Sequence, residues 1–582
     1  MFIPVTQDET KKLGWDSLDI IFVTGDAYID SPFTGVALLG KFLIKHGFRV
    51  AIIPQPDWKS SKDITRLGEP RLFWGVSAGA VDSMVANYTA TGKKRKTDDY
   101  TPGGINNRRP DRATIVYTNL IRQHFKKTAP IVLGGIEASL RRIAHYDYWT
   151  DTVRRSVLPD AKADYLLYGM AEYSTLKLAQ AIKEGRTIED IRGLCYISGE
   201  KPSDGIELPS YQEVKEDKNA FTRMFMAFYD NTDPITAKKL FQRYDNRYLV
   251  ITPPPALLTT EEIDSIYELE FENRPHPIYK NQGKIRAMDT IRFSVTTHRG
   301  CYGECNFCAI SMHQGRTVQS RSQESILREI KRYTTHPDFK GIINDVGGAT
   351  ANMYKVECKK KIKTGICRKK RCIFPSSCSG LPIDHGLQIQ LLKKIRNIPG
   401  IRKVFVASGL RYDMILDDTK NGKEYLAEIV KHHVSGQLKI APEHIDNSIL
   451  RLMGKPSIDR LIEFKTAFDK LSAEAGKKQF LTYYFIAAHP GCSEKHMRKL
   501  KSFAAEKLHI NPKQIQIFTP TPSTISTLMY YTGCNPFTGE KIIVEKSIKG
   551  KEKQKNLLLS SARNFSKSKN LQVQKKISYY KN

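Results

Sequence analysis

The feature that most constrains the fold is a cysteine triplet that directly follows a strand-like run. Cys301, Cys305 and Cys308 have the spacing C-x3-C-x2-C and come after the run 291–297. Three thiolates on one short loop suit a soft metal cluster. A [4Fe–4S] cluster normally has four cysteine ligands, so three cysteines leave one iron open, as in catalytic rather than structural metal sites. A zinc knuckle or three incidental cysteines are the alternatives, but zinc sites usually contain two separated cysteine pairs.

The composition is that of a globular protein with several domains. Hydrophobic residues make up 40% of the 582-residue chain, enough for sizeable cores. The N-terminus lacks the basic and apolar pattern of a signal peptide, and no run approaches the roughly 18 apolar residues of a spanning helix. Ten cysteines are too few for a disulfide scaffold. We therefore predict a cytoplasmic protein with no membrane partner.

The chain is strongly basic, with 92 Lys and Arg against 61 Asp and Glu and a net charge of +31. A charge of this size is typical of proteins that neutralise nucleic-acid phosphates. A generally lysine-rich composition produces the same value. The basic clusters at 93–96 and 359–371 do not alternate with aromatic residues, as single-strand binding platforms do. RNA or DNA therefore remains a possible partner.

Two series of strand and helix patterns divide the chain. Residues 1–200 alternate buried strands, glycine turns and amphipathic helices, which predicts a doubly wound parallel sheet. Residues 201–285 have helical patterns and are predicted to be a connector. Residues 286–545 contain six strand candidates separated by helices, and the tail at 546–582 is short, basic and predicted to be reduced or disordered.

A second set of cysteines follows the second strand of the later series. Cys358, Cys367, Cys372 and Cys378 have the spacing C-x8-C-x4-C-x5-C among many lysines and arginines. Basic neighbours lower thiol pKa values and favour thiolate ligands. We predict a second metal site here, either an auxiliary iron–sulfur cluster or structural zinc. A flexible basic insertion with free thiols is the alternative.

The run 136–156 is rich in arginine, tyrosine and aspartate. Arg141, Arg142, Arg154 and Arg155 in this run suit bidentate contacts with phosphate or carboxylate. The run is either a surface segment with salt bridges or a surface that faces an anionic substrate, and the sequence favours neither interpretation.

The cysteine triplet, with Gly300 before it and the aromatic Phe307 before its last cysteine, resembles the signature of the radical S-adenosylmethionine (SAM) superfamily. The resemblance implies that 286–545 form a partial (β/α)6 barrel of the TIM type. It also implies that the open iron chelates the amino and carboxylate groups of SAM. One-electron cleavage of SAM then gives a 5′-deoxyadenosyl radical.

The same resemblance implies further cofactor-binding residues. The second strand ends in Gly347 and Gly348, where superfamily members carry a GGE-type turn that meets the SAM amino group, but here Ala349 replaces the acid. The fourth strand ends in Glu443, which resembles the superfamily residue that contacts the SAM ribose or methionine.

Over residues 1–560 the chain is more specifically similar to the YgiQ-type radical SAM proteins. The motifs that carry this similarity are VTGDAYIDSPFTG, GGIEASLRRIAHYDYW, TTHRGCYGECNFCAI, GGATANMY and LKIAPEH. The family has a Rossmann-like N-terminal domain and an unassigned reaction. The resemblance implies a one-electron donor of the flavodoxin or ferredoxin type and a substrate that the sequence does not identify.

The N-terminal layout also resembles cobalamin-binding-like domains, whose D-x-H-x-x-G signature aligns with Asp30, Pro32 and Gly35. Proline replaces the cobalt-ligating histidine, so we predict a degenerate domain that binds no cobalamin. Cobalamin binding that needs no histidine is the alternative. Two other functions compete with a radical SAM enzyme of unknown substrate. One is a radical SAM enzyme that modifies RNA, and the other is a non-catalytic metal-cluster protein that binds nucleic acid.

Overall fold

In the computed structural model, residues 1–367 and 370–559 are described, and they form two α/β units. The strands of the first unit are β1 (Ile20–Thr24), β2 (Ile29–Asp30), β3 (Val50–Pro54), β4 (Phe73–Ser77), β5 (Ile131–Gly134), β6 (His145–Asp147), β7 (Thr152–Arg154), β8 (Tyr165–Leu167), β9 (Leu194–Ser198), β10 (Ile206–Leu208), β11 (Leu240–Tyr244), β12 (Arg247–Ile251) and β13 (Arg274–Pro275). Its helices are α1 (Gln7–Lys12), α2 (Gly35–Lys45), α3 (Lys62–Thr65), α4 (Ser83–Asn87), α5 (Ala113–His124), α6 (Gly135–Leu140), α7 (Val157–Ala161), α8 (Glu172–Glu184), α9 (Tyr211–Glu216), α10 (Lys218–Asp230), α11 (Thr260–Tyr267) and α12 (Met288–Ile291).

Within the described residues, nine of these strands form one sheet, in the order β10-β11-β12-β9-β8-β5-β4-β1-β3. The five strands β8, β5, β4, β1 and β3 are parallel to one another. Alternate residues of β1 enter different cores, Ile21 and Val23 on one face and Ile20 and Phe22 on the other. Both faces are therefore covered, which confirms the predicted doubly wound parallel sheet.

The sheet continues beyond residue 200. Strand β9 pairs antiparallel with β8, and β12 and β11 extend this edge in antiparallel fashion, with β10 parallel to β11. Residues 201–285, predicted to be a helical connector, therefore contain three sheet strands as well as α9, α10 and α11. These strands were missed because an antiparallel edge depends on distant partners. The limits of the domains stay a prediction.

The second unit begins with β14. Its strands are β14 (Ser294–Thr296), β15 (His298–Arg299), β16 (Gln319–Ser320), β17 (Ile342–Ile343), β18 (Asp345–Gly347), β19 (Lys403–Val404), β20 (Gln437–Glu443), β21 (Phe480–Ala487) and β22 (Gln516–Ile517). Its helices are α13 (Ile310–His313), α14 (Gln323–Thr334), α15 (Lys359–Thr364), α16 (Gly386–Arg396), α17 (Tyr412–Asp417), α18 (Gly422–Glu428), α19 (Asn447–Met453), α20 (Ile458–Glu474), α21 (Glu494–Glu506), α22 (Ile525–Thr532) and α23 (Ile548–Leu559).

Most strands of this unit pair in parallel, and only the short strands β15 and β16 pair antiparallel among its described residues. Strand β14 pairs with β18, β17 pairs with β19, and β20, β21 and β22 form a continuous group. A parallel bridge from Leu410 to Ile440 links the two halves. Helices α14, α16 and α20 pack their apolar faces on one shared core. This succession confirms the strand and helix series predicted for the barrel.

The C-terminal helix α23 belongs to the fold. It packs on α21, and Leu557 and Leu558 are buried in the core of the second unit. The predicted tail therefore includes an ordered helix at its start, and its remainder, 560–582, lies outside the described residues. Among the helices that the structure describes, none is both long and apolar enough to cross a membrane.

Candidate active site

The cysteine triplet lies on a loop, here called the cysteine loop (residues 300–309), between β15 and α13. The Cys301 Sγ lies 3.5 Å from the Thr350 Oγ1, just beyond the GG turn after β18. The backbone N–H of Gly303 donates to the Cys301 Sγ at 3.3 Å, and the N–H of Cys308 donates to the Cys305 carbonyl oxygen at 2.9 Å. The loop thus directs a backbone N–H group at a cysteine sulfur, and hydrogen bonds of this kind also occur in iron–sulfur sites.

A glycine is required at the entry to this loop. Gly300 has a φ of 80°, which favours glycine, and a Cβ there would overlap the Thr317 carbonyl oxygen. Gly300, which is part of the resemblance to the radical SAM signature, is therefore required at this position for a steric reason.

A buried arginine stands beside the triplet. Arg411 donates through Nε and Nη2 to Asp413 at 2.8 and 2.6 Å, and its Nη1 lies 3.7 Å from the Cys305 Sγ. Burial raises the pKa of the Cys308 thiol to about 12, and the neighbouring Cys305 adds to this. A fixed cation near the thiols favours their ionised, metal-binding form. Sequence reasoning missed Arg411, which lies in the segment between β19 and α17.

Glu443 lies at the same site, and its backbone is strained. It ends β20 with a φ of 68°, next to an irregularity in the pairing with β21. Burial raises the pKa of its carboxyl group, and the Lys455 Nζ lies 4.0 Å away. Its charge also contributes to the raised pKa of Cys308. Left-handed backbone at a non-glycine residue concentrates at functional sites, and here it holds a carboxylate near the triplet.

No group of three or more His, Cys, Asp or Glu side chains in the described residues converges on a single metal-ion position. This geometry is compatible with a cubane cluster, because each cysteine of such a cluster binds a different iron atom. The half-buried thiols, the backbone donor and Arg411 fit a [4Fe–4S] cluster.

The second cysteine set lies directly behind the triplet. Tyr302, on the cysteine loop, is at the centre of a small buried cluster that Cys301, Cys358, Cys372 and Cys378 pack against. The Tyr302 hydroxyl accepts from the Cys358 N–H at 3.3 Å.

The environments of these four thiols differ. Burial raises the pKa of Cys372 to about 11, although the Lys361 Nζ lies 3.5 Å from its sulfur. Cys367 is exposed. Cys358, Cys372 and Cys378 therefore pack against the same buried cluster, and Cys367 is not among the residues that contact it.

The two units enclose a cavity of about 520 Å³, here called the interdomain cavity. It is lined by the carboxyl ends of β1, β4 and β5 from the first unit and of β14 and β18 from the second. Ligands of parallel α/β folds bind at this end of their strands. Gly347 and Gly348 line the cavity, and a Cβ at Gly348 would lie 2.7 Å from the His298 carbonyl oxygen. The glycines therefore allow the turn to pack closely against β15.

Three buried side chains that line the interdomain cavity carry unpaired polar atoms. The His298 Nε2, the Glu172 Oε2 and the Arg299 Nη1 have no hydrogen-bond partner among the described residues. Burial lowers the pKa of His298 to about 4, so its imidazole is neutral. Unpaired buried polar groups are costly, and their clustering in one cavity indicates a polar ligand. Sequence reasoning missed all three, although His298 and Arg299 are close to Cys301 in the chain.

The crevice between β1 and β4, where the strand order reverses, is partly occupied by the protein's own side chains. The loop at 88–112 places Arg109 there, with its Nη2 2.7 Å from Asp26 and 3.0 Å from Asp98. A Cβ at Gly79 would overlap the Asp26 carboxylate. Asp26 and Gly79 also line the interdomain cavity, so the open part of this crevice belongs to that cavity.

Two family comparisons cover most of the chain. Residues 2–294 match the Radical SAM N-terminal family, and residues 295–504 match the Radical SAM superfamily. A UPF0313 protein of Fusobacterium nucleatum is 57% identical over 97% of this chain and 99% of its own length. A UPF0313 protein of Thermotoga maritima is 51% identical over 96% of this chain and 98% of its own length.

This chain belongs to the UPF0313 family of radical SAM proteins.

The UPF0313 fold also resembles a solved structure. TsrM, a radical SAM methyltransferase from Kitasatospora setae solved with tryptophan and a SAM analogue, superposes with a TM-score of 0.51 at 13% identity. The match covers 87% of this chain and 75% of TsrM. The family match identifies a radical SAM enzyme with an unassigned reaction. The predicted YgiQ-type family, fold class and enzyme class are confirmed.

Proposed function

We propose that Cys301, Cys305 and Cys308 hold the [4Fe–4S] cluster, and that the interdomain cavity holds the substrate next to SAM. The observation that carries this proposal is the position of the cavity. Its wall includes the GG turn, and Thr350, two residues beyond that turn, touches Cys301. When bound, the cluster and SAM supply the one-electron cleavage that yields a 5′-deoxyadenosyl radical.

The protein's own residues would then orient SAM and exclude water. The backbone of the turn at Gly347 and Gly348, of which Gly348 is half-buried, would meet the SAM amino group, and the Glu443 carboxylate would accept hydroxyl donors. Arg299 joins the two units, since its Nη2 lies 2.7 Å from Glu172 and its Nε donates to the Tyr267 hydroxyl at 3.0 Å. This contact closes one wall of the cavity, which supports a site protected from solvent.

The experiment that tests the proposal is reductive SAM cleavage. Protein reconstituted with iron and sulfide without oxygen is reduced with dithionite in the presence of SAM, and 5′-deoxyadenosine is measured by liquid chromatography and mass spectrometry. Product formed only with a reductant supports the proposal. A full cluster that cleaves no SAM contradicts it.

We also propose that Cys358, Cys367, Cys372 and Cys378 bind a second metal, either an iron–sulfur cluster or zinc. Three of these thiols pack around Tyr302, beside the first site. We expect a variant with all three triplet cysteines changed to alanine to retain iron or zinc, and to lose it when Cys367 and Cys372 are also changed. Elemental analysis of anaerobic protein measures this. A folded triple variant that contains no metal would refute the second site.

For the N-terminal unit we propose that no cobalamin is bound. Pro32 has no donor atom for cobalt and lines the interdomain cavity. Asp30, the first residue of the signature, is engaged by Lys41 at 2.9 Å.

We expect the full-length protein to bind neither hydroxocobalamin nor methylcobalamin with one-to-one stoichiometry. Equilibrium dialysis at micromolar protein measures this, with serum albumin as a control for weak adsorption. Saturable one-to-one binding of either form would overturn the proposal and shift the function toward radical methyl transfer.

The remaining partners are also proposals. A radical SAM enzyme needs a reductant, and we propose a one-electron donor of the flavodoxin or ferredoxin type in the cytoplasm. RNA modification and non-catalytic nucleic-acid binding rest on the net charge alone. RNA that co-purifies with the protein and is released by high salt would favour these two functions.

A further inference from the structure

The arginine-rich run 136–156 divides into three paired arginines and one without an acidic partner. The pairs are Arg141 with Asp82, Arg154 with Asp160 at 2.8 Å, and Arg155 with Asp245 at 3.3 Å. For these three, the salt-bridge interpretation of the run is correct. Arg142 is different.

Arg142 is buried, with 2% of its surface exposed. Its guanidinium lies between two aromatic rings, 4.3 Å from the centre of Tyr168 and 4.5 Å from that of Phe228. Its Nη1 donates to the Ser139 carbonyl oxygen. Its Nε has no acceptor, and no carboxylate of the described residues forms a salt bridge with it.

The other buried arginines in the described part of the chain each have a carboxylate. These arginines are Arg109, Arg141, Arg299, Arg316, Arg321 and Arg411. Burial of an unpaired charge is costly, and the two rings offset only part of that cost. Burial lowers the pKa of Arg142, whereas the carboxylate pair of Arg411 raises the pKa of that arginine. Arg142 therefore lacks the counter-ion that this fold supplies elsewhere.

Arg142 lines a small cavity of about 60 Å³. Arg299 and His313 line this small cavity and also line the interdomain cavity, so the two are adjacent. The polar residues Gln314 and Thr317 also line the small cavity. Two guanidinium groups and neutral polar donors, with room for one small group, suit an oxyanion.

We infer that the small cavity is an anion-binding subsite, in which Arg142 and Arg299 hold a carboxylate or phosphate group of a molecule that extends into the interdomain cavity. Arg142 supplies the unpaired charge, and Arg299 joins the subsite to the larger cavity. That the bound molecule is an anionic substrate rests on the proposed function. The anion site itself depends only on the residues that line it.

The test uses the reconstituted full-length protein and two variants, Arg142→Met and the matched control Arg154→Met, whose arginine is paired with Asp160. Thermal unfolding is followed while sodium phosphate or sodium acetate is added, against sodium chloride at equal ionic strength. We expect phosphate or acetate to raise Tm saturably above chloride in the wild type and in Arg154→Met. We expect the half-saturating concentration in Arg142→Met to be at least tenfold higher. The more effective anion distinguishes a phosphate from a carboxylate substrate.

Equal curves for phosphate, acetate and chloride in the wild type overturn the inference, and so does unchanged anion dependence in Arg142→Met. If that variant does not fold, Arg142→Lys replaces it. This variant keeps the charge but loses the bidentate fork, so several-fold weaker binding is expected and wild-type binding contradicts the inference. SAM cleavage measured on the same samples separates the two proposals. Cleavage without anion binding refutes only the subsite, and anion binding without cleavage refutes only the proposed function.

Discussion

Replacing Cys301, Cys305 and Cys308 together with alanine is expected to abolish both the broad brown absorption of the first cluster and all SAM cleavage. The reason is that these three thiols are the proposed ligands of the first cluster, and Cys305 lies beside the buried Arg411, whose Nη1 is 3.7 Å from its Sγ. Without these thiolates the iron has no ligands there. Visible absorption and electron paramagnetic resonance measure the cluster, and 5′-deoxyadenosine measures the cleavage.

The matched control is Cys534→Ala. Cys534 is also a partly exposed free cysteine, but it belongs to neither predicted ligand set. This variant is expected to keep the cluster and the activity of the wild type. Any SAM cleavage above background in the folded triple variant would contradict the assignment, and absorption that remains would have to come from the second cysteine set.

Glu443→Gln is expected to weaken SAM binding on the order of 10- to 100-fold, because a buried hydrogen bond to a charged group contributes about 1.5–3 kcal/mol and about 1.4 kcal/mol corresponds to a factor of ten. Glutamine keeps the shape of a side chain that is 8% exposed, so cluster content should not change. Binding of SAM to the unreduced, cluster-loaded protein is measured by isothermal titration calorimetry.

The matched control is Glu463→Gln, a glutamate in the same unit whose side chain is 55% exposed and pairs with Arg460. It should bind SAM like the wild type. Unchanged SAM affinity in Glu443→Gln would mean that the strained carboxylate near Cys308 has a structural role only.

Local patterns predicted much of the architecture. The run 31–47 has the apolar spacing of an amphipathic helix and ends in Gly47, and the structure has α2 at Gly35–Lys45. The strand at the start of the first unit is buried along its whole length, as its apolar run predicted. Such elements are predictable because hydrophobic periodicity and glycine stops act within one or two turns of chain.

Elements that depend on distant partners were not predictable in the same way. Strands β10, β11 and β12 join the sheet through β12, which pairs with β9 about 50 residues earlier in the chain. Helix α23 has a basic, weakly patterned sequence and is held by burial of Leu557 and Leu558. In both cases tertiary packing overrides a weak local signal.

The sequence by itself determined the cysteine loop, the two α/β units and the family, because these depend on spacing and on short-range pattern. Only the tertiary structure decided which arginines of the run 136–156 are paired, and that Arg411 and Glu443 approach the triplet. It also decided that the carboxyl ends of the strands of both units enclose one cavity. The physical reason is that ion pairing and the enclosure of a cavity depend on distances between side chains that are far apart in the chain. Those distances cannot be predicted from local sequence patterns.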